Sequence, residues 1–313
     1  MPGRSSPSAL KKWLVAGRPW SLPASSMPVI FGTSLAVVIG HASLSLGKFL
    51  LALAAMMVLH AAANMMSDVF DFRRGLDKDI TPVSGAIVRG WLRPAEVAAG
   101  GGALFFLGSA VGAFLVLKTG LPLLLIGALG LPIGVFYPWL KYHALGDLAV
   151  FLNFGILGSL GAWTVQTRTL SWIPVVWTIP MAMLVSAILH ANNWRDSSSD
   201  TEKRVKTVAT LLGDSGSFRY YHFLVFGPFL IDLGLILLPR SLPGGPVAMP
   251  LTFLVVLLAL PSALDLSRRA RRRRAPRRPL DFVVLDGATA NYNLVFGLLS
   301  TAALWLNLAL TKL

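Results

Sequence analysis

The sequence has no cysteine, which excludes disulfides, metal thiolates and a cysteine nucleophile. Charge is also scarce. Only 13% of the 313 residues are charged while 55% are hydrophobic, a balance that excludes an ordinary soluble domain. Acids are the scarcest charged class, fourteen against twenty-eight Lys and Arg. No cleavable signal peptide is expected, because Lys11, Lys12 and Arg18 interrupt any apolar core near the start.

What the chain has instead is apolar runs, each near the ~20 residues that a helix needs to cross a bilayer. Nine are expected, at 20–39, 49–67, 95–117, 121–139, 147–166, 172–192, 218–238, 247–266 and 287–310. Lipid offers no hydrogen-bond partners, and runs of this length are too long for barrel strands, so they read as helices. The expectation is one all-α membrane domain over residues 1–313, with a cytoplasmic N-terminal segment at 1–19 and an arginine-rich cytoplasmic loop at 267–280.

Nine spans would place 23 of the 28 basic residues on one side. By the positive-inside rule that side is the cytoplasm, which predicts an integral protein of the plasma (inner) membrane with a cytoplasmic N-terminus. The net charge of +14 owes much to "SRRARRRRAPRRP", a short loop between two spans. Topology and anionic lipid headgroups account for it, and without a recognition fold it gives no reason to expect nucleic acid.

The acids gather in two places. In "NMMSDVFDFRRGLDKD", Asn64, Asp68 and Asp71 share a helical arc of about 60°; in "HANNWRDSSSD", Asn193, Asp196 and Asp200 share a similar one. Each cluster ends an apolar span, the second and the sixth, and similar approaches lead to both: Leu59-His60-Ala61 and Leu189-His190-Ala191. Two related halves are implied, offset by four helices. Lone aspartates at span ends are ordinarily caps or headgroup contacts. Paired at i, i+3 or i+4 they repel one another unless a cation joins them. Hard oxygen ligands suit Mg²⁺, which takes one or two carboxylates and completes its shell from phosphate oxygens.

Basic residues crowd the same face: Arg73, Arg74, Arg89, Lys141, Arg195, Lys203 and Lys206. Carboxylates for Mg²⁺ beside cations for phosphate describe a diphosphate site, and apolar helices behind it suit a lipid diphosphate. Topology alone would explain Arg73, Arg74 and Arg204 equally well.

At this point the chain resembles the UbiA superfamily of intramembrane prenyltransferases along nearly all its length. "RPWSLPASSMPVIFG" looks like that family's first helix, "NMMSDVFDFRRGLD" like its first aspartate motif, and "NNWRDSSSDTEKRVKTVATLLG" like its second. "FYPWLKYHALGDL" and "FGILGSLGAWTVQT" are similar to the branch that prenylates 1,4-dihydroxy-2-naphthoate in menaquinone synthesis, and the vitamin K prenyltransferases of animals share the pattern. Two departures stand out. Ser67 replaces an expected asparagine, and an arginine is missing after the first motif unless Arg89 substitutes.

The resemblance implies about nine helices around a central cavity, capped on the cytoplasmic side by the motif loops. It implies Mg²⁺ joining Asp68, Asp71, Asp196 and Asp200 to a polyprenyl diphosphate, with Arg195, Lys141 and Lys206 on the departing oxygens. Asn64, Asn192, Asn193, Arg74 and Arg89 complete the expected diphosphate contacts. Tyr137, Trp139, Tyr142 and Trp194 are candidate faces for an allylic cation, although interfacial aromatics are commonly anchors. Asp147 would orient or deprotonate an aromatic acceptor, or else simply favour its helix's first turn. Gly155, Gly158 and Gly161 leave room for a bicyclic ring, or for close helix packing. Other acceptors (4-hydroxybenzoate, homogentisate, a tetrapyrrole, a glycerol phosphate) remain open, as does a secondary transporter, although its charges would sit nearer the bilayer midplane.

Overall fold

In a computed structural model describing residues 7–76, 80, 85–238, 248–272 and 285–312, the apolar runs become helices, and no strand forms among the described residues. Residues 1–6 of the N-terminal segment and residues 273–280 of the arginine-rich loop lie outside that description. Helix α1 (Ala9–Gly17) starts on Ser8, whose side chain accepts from the Lys11 amide. It stops at Arg18, which sits in the left-handed region with φ 52°. Pro19 cannot continue the helix. The chain turns through Pro19–Ser21 and enters α2 (Pro23–Val38) at a bend of 56°.

Two long helices carry the aspartates at their C-terminal ends, α3 (Leu46–Arg73) and α10 (Ile179–Glu202). Each packs along the helix that follows it, α4 (Pro94–Thr119) and α11 (Val208–Leu237) respectively, so the relation between the halves seen in sequence reappears as packing. Between them run α5 (Leu121–Val135), the short α6 (Tyr137–Lys141), and a span built from α7 (Gly146–Val150), a π-helical turn (Phe151–Leu157) and α8 (Gly158–Thr167). The short α9 (Trp172–Trp177) leads into α10. A 3₁₀ segment (Leu251–Ala259) continues into α12 (Leu260–Arg271), and α13 (Leu285–Leu310) returns to pack on α2 and α10, joining the halves.

Among the described residues six helices are long and apolar enough to cross a membrane, seven if the bent α1–α2 pair is one span. The count of nine is therefore not reproduced. At 15 residues α5 reaches only ~22 Å, short of the ~30 Å hydrocarbon layer. Helix α10 is long enough but gives its second half to Asn192, Asn193, Arg195, Asp196 and Asp200.

The largest core packs Phe31, Trp194, Tyr221, Phe253, Tyr292 and Phe296, all essentially solvent-free. Leu117, Leu230 and Leu237 point outward, as they should where the solvent is lipid. The small residues of the fifth span divide in use. A β-carbon on Gly155 would collide with Ala182 of α10, so that glycine permits close helix packing. Gly158 and Gly161 instead line an apolar cavity.

Candidate active site

Helix α3 turns one ridge toward the bundle centre. His60, Asn64 and Ser67 line a cavity of ≈ 100 Å³, and Asp68 and Asp71 follow at the helix end. Asp68 is buried and takes the guanidinium of Arg18, delivered by the left-handed turn that closes α1. A non-glycine residue there costs about 1–2 kcal/mol, so surrounding contacts must hold it. Gly85 lies against the Asp68 carboxylate so closely that a β-carbon would overlap it.

Asp71 is held by the connection between α6 and α7. The Tyr142 hydroxyl donates to it at 2.6 Å and Lys141 Nζ lies 3.1 Å away. Ser67 donates from the preceding turn at 3.4 Å, and the Arg74 guanidinium lies 4.1 Å from the centre of the Tyr142 ring. Burial opposes the Lys141 charge, but Asp71, with help from Tyr137, Tyr142 and Asp200, outweighs it and holds the ammonium above the ordinary lysine range. Burial and then Asp71 push the Tyr142 hydroxyl up, so it stays protonated and donates.

The second motif faces the first. Arg195 reaches both carboxylate oxygens of Asp196 at 2.9 Å, bonds Asn192, and reaches Asp286 of α13 at 2.7 Å. Asn192, Arg195 and Asp286 line the same cavity as Asn64, Tyr137 and Lys141. The loops are tied by backbone: the Ala144 amide donates to the Lys206 carbonyl at 2.7 Å, beside a parallel bridge between His143 and Lys206. Asp200 is buried and acts electrostatically on Lys141, so one lysine spans both motifs.

Several expected contacts fall elsewhere. The Lys206 side chain is exposed, and its backbone does the joining. Arg89 lies over Trp91, 5.1 Å from the ring centre, and does not line the cavity. Asn193 is buried in α10 behind the lining, and Arg74 covers Tyr142 from outside it. Asp147 also lies outside the lining, buried against His190 Nδ1 at 3.2 Å. Trp139 points outward and stacks on His143, and Trp194 is a core residue bonded to Asp214.

Sequence reasoning missed Arg18, Tyr142 as a donor to Asp71, Asp286 and His60. Arg18 opens the quoted "RPWSLPASSMPVIFG", and nothing local sets it apart from the other basic residues near the start. Asp286, an acid opening the last span beside the arginine-rich loop, was a signal that could have been used.

Among the described residues no three His or acidic side chains group around one point. The donor set still fits Mg²⁺, which needs only one or two carboxylates when water and phosphate oxygens supply the rest.

The cavity does not end at its polar wall. Ala63 and Phe154 line it and also line a second, apolar cavity of ≈ 380 Å³ between α3, α4, α5 and α8. An all-α bundle of membrane-crossing helices, with a cavity lined by Arg18, Lys141, Arg195 and Asp286 beside an apolar chamber, fits an integral membrane enzyme acting on a charged lipid.

The chain belongs to the UbiA prenyltransferase family, whose model matches residues 25–285. It is 34% identical over 292 residues to UbiA prenyltransferase domain-containing protein 1 of Danio rerio, covering 91% of this chain and 81% of that protein. Its fold is similar to the apo structure of a UbiA homolog from Aeropyrum pernix K1, with a TM-score of 0.65 at 17% identity, covering 91% of this chain and 97% of that one. It is also similar to a UbiA homolog from Archaeoglobus fulgidus bound to DMAPP and Mg²⁺, with a TM-score of 0.59 at 15% identity, covering 93% and 99%. Membership sets the transporter reading aside. The relatives' names specify no acceptor, and they do not support assignment to the menaquinone naphthoate branch.

Proposed function

We propose that the protein transfers a polyprenyl group from its diphosphate to an aromatic acceptor, 1,4-dihydroxy-2-naphthoate on the resemblance carried by "FYPWLKYHALGDL" and "FGILGSLGAWTVQT". The observation that carries the donor half is the junction at Ala63 and Phe154, where a charged cavity meets an apolar one. That is the shape of a lipid diphosphate.

Asp68, Asp71, Asp196 and Asp200 would hold Mg²⁺, which when bound neutralises diphosphate charge. Arg18, Lys141 and Arg195 now sit on these carboxylates and would turn to phosphate oxygens as the allylic C–O bond breaks. Tyr137 and Phe154 line the cavity and offer aromatic faces to the cation. The electron-rich ring carbon of the acceptor then attacks the allylic carbon. The basic residues that follow both aspartate motifs, Arg73 and Arg74 after the first and Lys203, Arg204 and Lys206 after the second, support a site facing the cytoplasm of the plasma (inner) membrane.

Membranes carrying the protein, given one long-chain prenyl diphosphate and Mg²⁺, test this. They should prenylate 1,4-dihydroxy-2-naphthoate with release of CO₂, or 1,4-naphthoquinol without it, and EDTA should stop both. Turnover of 4-hydroxybenzoate or homogentisate with neither naphthalene used would refute the acceptor and keep the transferase.

A further inference from the structure

Below the ion pairs the cavity wall carries His60 with Ser21 and Ser25, a polar group joined to the expected diphosphate contacts through Asn64. We propose that His60 is the base for the acceptor, taking its hydroxyl proton on Nε2; this rests on the prenyl-transfer reading above. The argument is a count of hydrogens. Ser25 has one hydroxyl hydrogen and donates it to the Leu22 carbonyl at 3.1 Å. With that hydrogen on Leu22, Ser25 accepts from His60 Nδ1, 2.8 Å away, and this tautomer, hydrogen on Nδ1, is the one the proposal assigns. Ser21 spends its hydrogen on the Arg18 carbonyl at 2.8 Å and accepts from Asn64 Nδ2 at 3.0 Å. It has none to give His60 Nε2, 3.4 Å away. In that tautomer Nε2 carries the lone pair, its contact being the long one to the Ser21 hydroxyl, and His60 lines the cavity.

Its position suits the task. His60 stands one turn, ~6 Å, from Asn64 and two turns, ~12 Å, from Asp68 along α3. A diphosphate held at the Asp68 end leaves room for an aromatic ring between the allylic carbon and His60. The Phe154 ring, 4.4 Å from the imidazole centre, and Ala24, Val150 and Leu189 make that end apolar. Asp147, the base expected from sequence, lies outside this wall against His190.

The step balances. The ring carbon beside the hydroxyl attacks the allylic carbon while the C–O bonding pair leaves with diphosphate. The O–H pair becomes the C=O pair of a dienone, and the proton goes to His60 Nε2. With the naphthoate, CO₂ departs, its bonding pair returns to the ring, and the resulting oxyanion recovers the proton from His60. With the unsubstituted quinol, the ring C–H proton goes to the released diphosphate as its pair returns, and the oxygen is reprotonated by His60.

His60→Ala tests the assignment in steady-state kinetics with the naphthalene acceptor, alongside direct binding of prenyl diphosphate. We expect kcat to fall about 100-fold or more. Prenyl diphosphate affinity should hold within about threefold, and added imidazole should restore a substantial part of kcat. A kcat within about threefold of the wild type, or a loss that imidazole does not touch in protein that still binds prenyl diphosphate, overturns the proposal. If His60→Ala does not bind prenyl diphosphate, Ser25→Ala is measured instead. Freeing the tautomer should lower kcat roughly tenfold at unchanged prenyl diphosphate affinity, and an unchanged kcat overturns the proposal. Wild-type protein that prenylates no aromatic acceptor would instead defeat the functional reading itself.

Discussion

The Lys141 ammonium lies 3.1 Å from Asp71, and Asp200 of the other motif acts on the same charge. Lys141 thus pairs with the first motif and feels the charge of the second. Removing it should lower kcat about 10²–10³-fold, the usual loss for one donor to developing negative charge. Lys141→Arg should keep part of the rate. The folded-state pKa is raised above the unfolded value, so the pair's contribution to stability is fully present below ~10.4 and lost only as pH rises through the folded value. Lys141 should therefore add no alkaline limb to the rate profile below about pH 10. A Lys141→Ala protein at wild-type kcat would remove it from the reaction.

Arg18 makes the corresponding contact to Asp68 from a different helix. Arg18→Ala withdraws a guanidinium from a buried carboxylate and should destabilise the fold by about 1–3 kcal/mol. It should also abolish most turnover. Combining it with Asp68→Asn should recover much of the stability, seen as a higher Tm, and none of the activity. Recovery of activity in the double variant would show the pair to be structural.

This contrast marks what the sequence could and could not reveal. Asn64, Asp68 and Asp71 were legible because helical periodicity is local, and it correctly predicted one face of α3. In the second motif the arc named Asn193 with Asp196 and Asp200, whereas Asn192 is the amide that lines the cavity. Arg18, Tyr142 and Asp286 reach the site through packing of α1, the α6–α7 connection and α13, and no local period records which distant side chain a carboxylate meets. Arg18 in particular looked like every other cytoplasmic cation. The count of nine spans is not confirmed for a related reason. The apolar run at 121–139 is interrupted at Phe136 and divided between α5 and α6, which composition does not reveal.

Gly85 and Gly90 sit in one turn and should respond differently to alanine. At Gly85 the added carbon meets the Asp68 carboxylate, so activity should drop at least about tenfold as that group is displaced, roughly 1.4 kcal/mol at the transition state. At Gly90 the carbon meets nothing within 4 Å, but the backbone has φ +67°. Gly90→Ala should cost about 1 kcal/mol of stability, visible in Tm, with kcat unchanged. Equal kinetic effects at both sites would contradict the contact at Asp68.

Sidedness can be read directly because the chain has no cysteine. Ser198 is exposed between Asp196 and Asp200, so Ser198→Cys places one thiol at the second motif. In sealed, oriented vesicles an impermeant maleimide should label it from the cytoplasmic face. Labelling from the outer face alone would invert the expected topology.

The apolar cavity makes the last prediction. Gly112 of α4 and Gly127 of α5 line it, and a β-carbon at either meets nothing within 4 Å, so each glycine leaves volume unfilled. A leucine side chain is an isobutyl group, close in size to one isoprene unit. Gly112→Leu and Gly127→Leu should therefore shorten the chamber without disturbing a helix, since leucine is the better helix former by several tenths of a kcal/mol. The effect should depend on donor length. The KM for a long-chain prenyl diphosphate should rise about tenfold or more, because several buried methylenes lose their place at roughly 0.8 kcal/mol each. Geranyl diphosphate, whose tail ends sooner, should keep its KM and kcat within about threefold. The double variant should push the cut-off to shorter donors still. If both variants use long and short donors alike, the tail does not lie in this chamber, and the junction at Ala63 and Phe154 leads nowhere the substrate goes.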